Sequence, residues 1–279
     1  MKRLSLAILF AAIAYTAQAQ EPLKLPALSP GASMHQDFST SSIDITYSRP
    51  SMRGRVVFGD VVAYGSVWRT GANAATKIKL GEEVVIGGQI IKPGEYALYT
   101  VPGKDEWEVI INKGTGNWGT DGYDKTEDIV RFKVKPAMMN DMVQTFTINI
   151  ANITYSTCDI ELMWEKTKIS IPVKANNEVR LDAAIDKAIS KPALPYQQAA
   201  TYYLETGTNL QKALTYADKA IEQNPKAYWL YYLKARIAAK MGKKEEAIIA
   251  AKKSMELAKG TAFEAEYNHN NQKVIDSFK

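Results

Sequence analysis

Val84-Val85-Ile86-Gly87-Gly88-Gln89-Ile90-Ile91 is the stretch whose reading decides the fold. Two short apolar runs flank a Gly-Gly pair, the pattern of a two-residue hairpin turn whose central residues need positive φ. Pro93-Gly94 breaks the chain before Tyr96-Ala97-Leu98-Tyr99-Thr100, and Pro102-Gly103 breaks it again before Trp107. Proline and glycine in these places punctuate strands.

Outward from this hairpin the same alternation recurs. Ile43-Asp44-Ile45-Thr46-Tyr47, Thr76-Lys77-Ile78-Lys79-Leu80, Trp107 to Ile111, Thr145 to Ile150, Ile160 to Trp164 and Lys168 to Ile171 all repeat with period two. Each is bounded by Gly, Pro, Asn or Asp. About ten short, half-buried antiparallel strands are expected, closing into an all-β antiparallel sandwich or jelly roll over residues 35–175.

At Asn176-Asn177-Glu178 the pattern changes. Leu181 to Ile189 takes helical spacing, and the chain that follows is rich in Ala, Lys and Tyr at i, i+3, i+4 intervals. Shifting the sequence by 34 places lays Ala213, Ala217 and Ala220 on Ala247, Ala251 and Ser254. Leu214 and Ile221 fall on Ile248 and Met255, and Pro225 closes the first unit. Residues 193–258 therefore resemble the tetratricopeptide repeat, which sets small residues where two helices cross closely. A terminal helix from Phe263 to Ser277 is expected to cap the stack. The fold class is two-domain, with an all-α tetratricopeptide-like helical array over 179–279 behind the sandwich.

Ahead of both lies Met1-Lys2-Arg3, an apolar run from Leu4 to Tyr15, and Ala17-Gln18-Ala19. These are the charged, apolar and A-x-A parts of a secretory signal peptide over 1–19, with cleavage after Ala19. The apolar run is too short to span a bilayer, so no transmembrane segment is expected, and the destination is the periplasm or the cell exterior. Residues 20–34, punctuated by Pro22, Pro26 and Pro30, are expected to be extended. Cys158 is the only cysteine, so no intrachain disulfide can form, and it is expected to be a buried structural thiol.

The formal net charge of +5 falls to +3 once Lys2 and Arg3 leave. Residues 20–180 carry 18 basic against 19 acidic side chains, and 181–279 carry 15 against 11. Neither part has the basic surplus that nucleic-acid binding requires.

Between the strands lie Tyr47-Ser48-Arg49-Pro50, Gly54-Arg55, Phe58-Gly59, Tyr64-Gly65, Val67-Trp68-Arg69-Thr70-Gly71-Ala72-Asn73, Gly94 to Pro102, and Trp118-Gly119. Together they resemble the secreted bacterial family known as domain of unknown function 2911, over about 35–173 of this chain. The resemblance implies export and a β-rich domain, often followed by helical repeats, and supplies no catalytic residues.

The arginines are fixed-charge planar donors suited to a carboxylate or phosphate, and exposed aromatics suit sugar rings. Arg49, Arg53, Arg55, Trp68, Arg69, Asn73, Tyr99 and Trp118 are the candidate ligand-binding residues, for a saccharide or small anion. The alternative is structural: Arg55 and Arg69 pair with Asp44, Asp60 or Glu95, and the tryptophans fill the core.

Enzyme signatures are weak. His35 and His269 are too few for an ordinary zinc site, Gly114 to Gly119 is no phosphate loop, and no cofactor is expected. The acidic residues Asp121, Asp124, Glu127 and Asp128 lack calcium-loop spacing. The expected function is non-catalytic binding, with the helical array recruiting a protein partner. Its rival is a glycan-directed envelope hydrolase using His35 or a carboxylate pair such as Asp60 and Glu95.

Overall fold

The computed structural model describes residues 25–189 and 195–279. The leader read from residues 1–19 lies outside them.

Among the described residues ten strands form two antiparallel sheets. The first has six strands: β1 (Gly31–Phe38), β2 (Ser41–Ser48), β3 (Thr76–Leu80), β6 (Gly94–Val101), β7 (Trp107–Asn112) and β8 (Asp128–Val134), in the order β1-β2-β3-β6-β7-β8. The second holds β4 (Val84–Ile86), β5 (Gln89–Ile91), β9 (Ala137–Ala151) and β10 (Thr157–Ala175), in the order β5-β4-β10-β9. Alternation places one parity of the strands in the shared core, while β6 and β7 also bury Ala97, Tyr99 and Ile110 on their other face. Ile43, Ile45, Ile78, Leu98, Val109 and Ile111 of the first sheet share a core with Phe146, Ile160, Leu162, Ile171 and Val173 of the second.

The Gly87-Gly88 turn joins β4 to β5 as read, with φ of 59° and 79°. A Cβ on Gly87 would also overlap the ring of Phe132, so that position is fixed by space as well as by backbone. Two features differ from the expectation. β1 starts at Gly31, inside the presumed leading segment, because Gly31 to Phe38 pair throughout with Ser48 to Ser41. The last strands are long, 15 and 19 residues. β10 turns back at Glu165 (φ 54°): the Ala175 N–H donates to the Ser156 carbonyl at 2.8 Å, and Lys168 Nζ meets Glu161 Oε1 at 2.9 Å.

Six helices follow: α1 (Glu178–Ile189), α2 (Tyr196–Thr206), α3 (Leu210–Gln223), α4 (Tyr228–Lys240), α5 (Lys244–Ala258) and α6 (Glu264–Asp276). Asn209 caps α3 by accepting from the Lys212 N–H, and Gly207, at φ 72°, ends α2 in the left-handed conformation. The alanines picked out by the 34-residue shift are buried where α3 and α5 meet their neighbours. Ser254 sits at the last of these positions. Its hydroxyl donates to the Tyr228 carbonyl (2.8 Å) and accepts from Asn271 of α6 (2.9 Å), tying the terminal helix onto the stack.

The sandwich and the helices meet at Glu82. Its buried carboxylate accepts from the Thr40 N–H (3.0 Å) and hydroxyl (2.9 Å), from Asn177 (2.7 Å) and from Arg180 (3.0 Å). Burial pushes this carboxyl up, but the Asn177 amide and the two Thr40 donors hold it below its ordinary value. At its other side α1 presents Asp182 and Asp186 to Lys212 at 2.9 and 3.1 Å, and Asp182 also accepts from the Tyr203 hydroxyl. One helix is thus bonded to both parts of the chain.

Candidate functional site

Trp68 is anchored through its backbone to Thr100, with N–H···O distances of 2.7 and 2.9 Å. That orientation turns its indole inward, where it is 8% exposed. It stacks on Trp164 at 5.9 Å and meets Phe58, Trp107 and Phe146 edge-on, while its N–H donates to the Gly71 carbonyl at 3.0 Å. This ring offers no free face.

Arg69, Asn73, Tyr99 and Trp118 do come together. Arg69 Nη1 and the Gly119 N–H both donate to the Asn73 carbonyl, each at 2.9 Å. Gly119, at φ 70°, leaves the room that the guanidinium occupies. Ala74 and Trp118 face each other as a β-bridge, and Asn117 donates to the hydroxyl of the buried Tyr99 at 3.1 Å. Trp118 itself stands out from the loop, 66% exposed.

The other arginines make no hydrogen bond to this cluster, although Arg53 and Asn73 donate to the adjacent carbonyls of Leu28 and Ser29. Arg49 donates to the Phe146 carbonyl (3.1 Å) and Thr147 hydroxyl (2.8 Å), Arg53 to the Leu28 carbonyl (2.7 Å), and Arg55 to the carbonyls of Met52 (3.0 Å) and Ser51 (3.1 Å). The expected pairing of Arg55 and Arg69 with carboxylates is therefore corrected. Their partners are main-chain carbonyls, because Asp44 is taken by His35 and Glu95 by Lys77.

His35 lies on the exposed face of β1, with Nδ1 2.6 Å from Asp44 and Nε2 3.2 Å from Asp37. Hydrogen bonds to Asp44 and then Asp37 raise its pKa above the ordinary histidine value. The acidic cluster divides into structural roles. Asp124 accepts from the Thr126 N–H (2.8 Å), and Asp128 accepts from Tyr123 (2.9 Å), Arg131 and Asn112. Burial first, and then Asp128, push the Tyr123 hydroxyl up to about 12. Burial likewise pushes the Cys158 thiol up to about 12, which keeps it protonated and unreactive. Among the described residues no group of three His, Cys, Asp or Glu is placed to hold a metal ion, and no helix is long and apolar enough to cross a membrane.

A second candidate site lies in the helical array. Where α2, α4 and α6 face one another they enclose about 330 Å³, lined by Leu204, Glu205, Tyr232, Arg236, Lys240 and Lys273 among others. Arg236 pairs with Glu205 at 2.8 Å and lies 5.7 Å from the centre of the Tyr232 ring. Lys240 donates to the Leu204 carbonyl at the end of α2, at 2.6 Å. The Lys273 ammonium has no hydrogen-bond or ion-pair partner among the described residues. Three cations face one acid. The sequence carries a signal for this stripe, since Tyr232, Arg236 and Lys240 recur every four residues on one helical face.

A family model described as Protein of unknown function (DUF2911) matches residues 29–173, more than half of the chain. A tetratricopeptide repeat model matches residues 216–249, from α3 into α5. No curated protein and no solved structure matches.

Proposed function

Since the chain belongs to the family described as Protein of unknown function (DUF2911), which assigns no activity, we propose from its own residues that it is an exported, non-catalytic binding protein whose helical array engages a protein partner. The observation that carries this is the basic groove between α2, α4 and α6. A groove with three cations, one acid and an aromatic wall suits an acidic peptide segment, with Arg236 and Lys273 meeting its carboxylates. Lys273 decides the test because its ammonium makes no hydrogen bond or ion pair among the described residues. In fluorescence anisotropy against acidic peptides, Lys273→Glu is expected to weaken binding about tenfold or more, an effect of roughly 1.4 kcal/mol. Binding should also weaken as salt rises. Equal affinity of the variant, or equal binding of peptides with Gln in place of Glu, would sink this reading.

Export is supported by the leader pattern of residues 1–19. Mass spectrometry of the protein from its native cells is expected to give a chain beginning at Gln20; an intact Met1 in the exported fraction would contradict it.

The exposed Trp118 ring favours a second ligand surface on the sandwich. Arg69, Asn73 and Trp118 gather at one loop cluster, where a saccharide ring would lie on the indole and an anionic substituent would meet Arg69. The hydrolase alternative has less support. His35 is engaged by two aspartates on an open strand, and Glu95 is paired with Lys77.

A further inference from the structure

The two parts of the chain leave a crevice of about 380 Å³ between them, bounded on the sandwich side by Ser39, Thr40 and Tyr155. Its opposite wall is the apolar stripe of α1, formed by Leu181, Ala184, Ile185 and Ala188 at i, i+3, i+4 and i+7. Such a stripe normally faces a core. Here no residue of α1 is fully buried: Ile185 packs partly on the helical core, while Leu181, Ala184 and Ala188 keep exposed surface on the crevice. No acidic residue is among the described lining.

Arg180 stands beside the crevice, bonded to one of its lining residues. Thr40, which lines it, accepts from Arg180 Nη2 at 2.8 Å. The same nitrogen serves Glu82, while Arg180 Nε and Nη1 make no hydrogen bond among the described residues. Much of the Arg180 side chain is open to solvent, and a planar fork with unused donors beside an apolar slot matches a carboxylate. The volume falls within the range of small-molecule sites, which favour the boundary between domains.

We propose that this crevice binds a small amphiphile with an apolar chain and a carboxylate end, the chain lying along the α1 stripe and the carboxylate on Arg180. The site is separate from the groove between α2, α4 and α6. Occupied, it would hold the sandwich, α1 and α2 in one arrangement, since all three form its walls.

Isothermal titration of the full chain with monomeric dodecanoate tests this, with dodecyltrimethylammonium as the cation of equal tail. One dodecanoate per chain is expected, with much weaker binding of the ammonium. Ala184→Trp fills the slot one helical turn from Arg180 and should lower dodecanoate affinity about tenfold or more. Ala188→Phe serves the same purpose if the first variant does not fold. Lys273→Glu should leave dodecanoate binding unchanged. Absence of saturable binding, equal affinity for the two detergents, or full affinity in the filled variants overturns the proposal. So does a change in oligomeric state on filling the slot without dodecanoate binding, which would give the crevice to a second copy of the chain.

Discussion

Trp68→Ala is expected to remove about 3–5 kcal/mol of unfolding free energy, the cost typical of deleting a large buried aromatic. Trp68 has rings on several sides: Trp164 stacks on it, and Phe58, Trp107 and Phe146 meet its faces and edges at 5.1 to 6.3 Å. These partners come from both sheets, so the cavity left behind opens in the middle of the core and cannot close by moving one strand. The Gly71 carbonyl would lose its indole donor as well. Urea unfolding followed by intrinsic fluorescence measures the loss, and Trp68→Phe should cost less because most of the contact survives. A variant destabilised by under about 1 kcal/mol would mean the indole is not part of the core.

Glu82→Ala is the second large effect, set at about 2 kcal/mol. The substitution leaves one N–H of the buried Asn177 amide unpaired, the other keeping the Ser39 hydroxyl at 2.8 Å, and removes the acceptor shared by both Thr40 donors and Arg180. A stranded buried donor costs about 1–3 kcal/mol. Arg180 adds little, since its side chain is largely solvated and its charge screened. The junction also depends on pH. Because the folded pKa of Glu82 lies below the 4.5 of the free group, its ionised form contributes stability that is complete above that value. The contribution is lost as pH falls through the lower, folded-state pKa. Urea midpoints measured from pH 7 downward should therefore drop more steeply below 4.5 for the native chain than for Glu82→Ala. Parallel curves would remove Glu82 from the junction.

The periodic parts of this chain were legible because period carries information about burial. Ile43, Ile45 and Tyr47 face inward as their alternation requires, and Ala213, Ala217, Ala247 and Ala251 are buried as the 34-residue shift requires. The Gly87-Gly88 turn was legible because positive φ has few substitutes. The loops carry no period. Nothing in Val67-Trp68-Arg69 or Asn117-Trp118-Gly119 tells which indole turns in and which turns out; the backbone bridge of Trp68 to Thr100 decides it, and that contact is 32 residues distant in sequence. The partners of the arginines were hidden for a different reason. A carbonyl belongs to every residue, so no letter of the sequence marks Leu28, Met52 or Phe146 as an acceptor. Glu82 was overlooked because Gly81-Glu82-Glu83 reads as a solvated turn until Asn177 and Arg180 are folded against it.

Those carbonyl acceptors have a consequence for how the sandwich can change. Leu28, Ser51, Met52, Asn73 and Phe146 each receive an arginine through the main chain, and the main chain is the same whatever residue stands there. The accepting positions are thus free to drift in identity as far as these bonds are concerned. The donors are not, because only a guanidinium offers several fixed N–H directions from one side chain. Among variants of this fold, diversity should gather on the receiving side of each bond, while Arg49 and Arg55, which each use two N–H directions, stay arginine even where no ligand is bound.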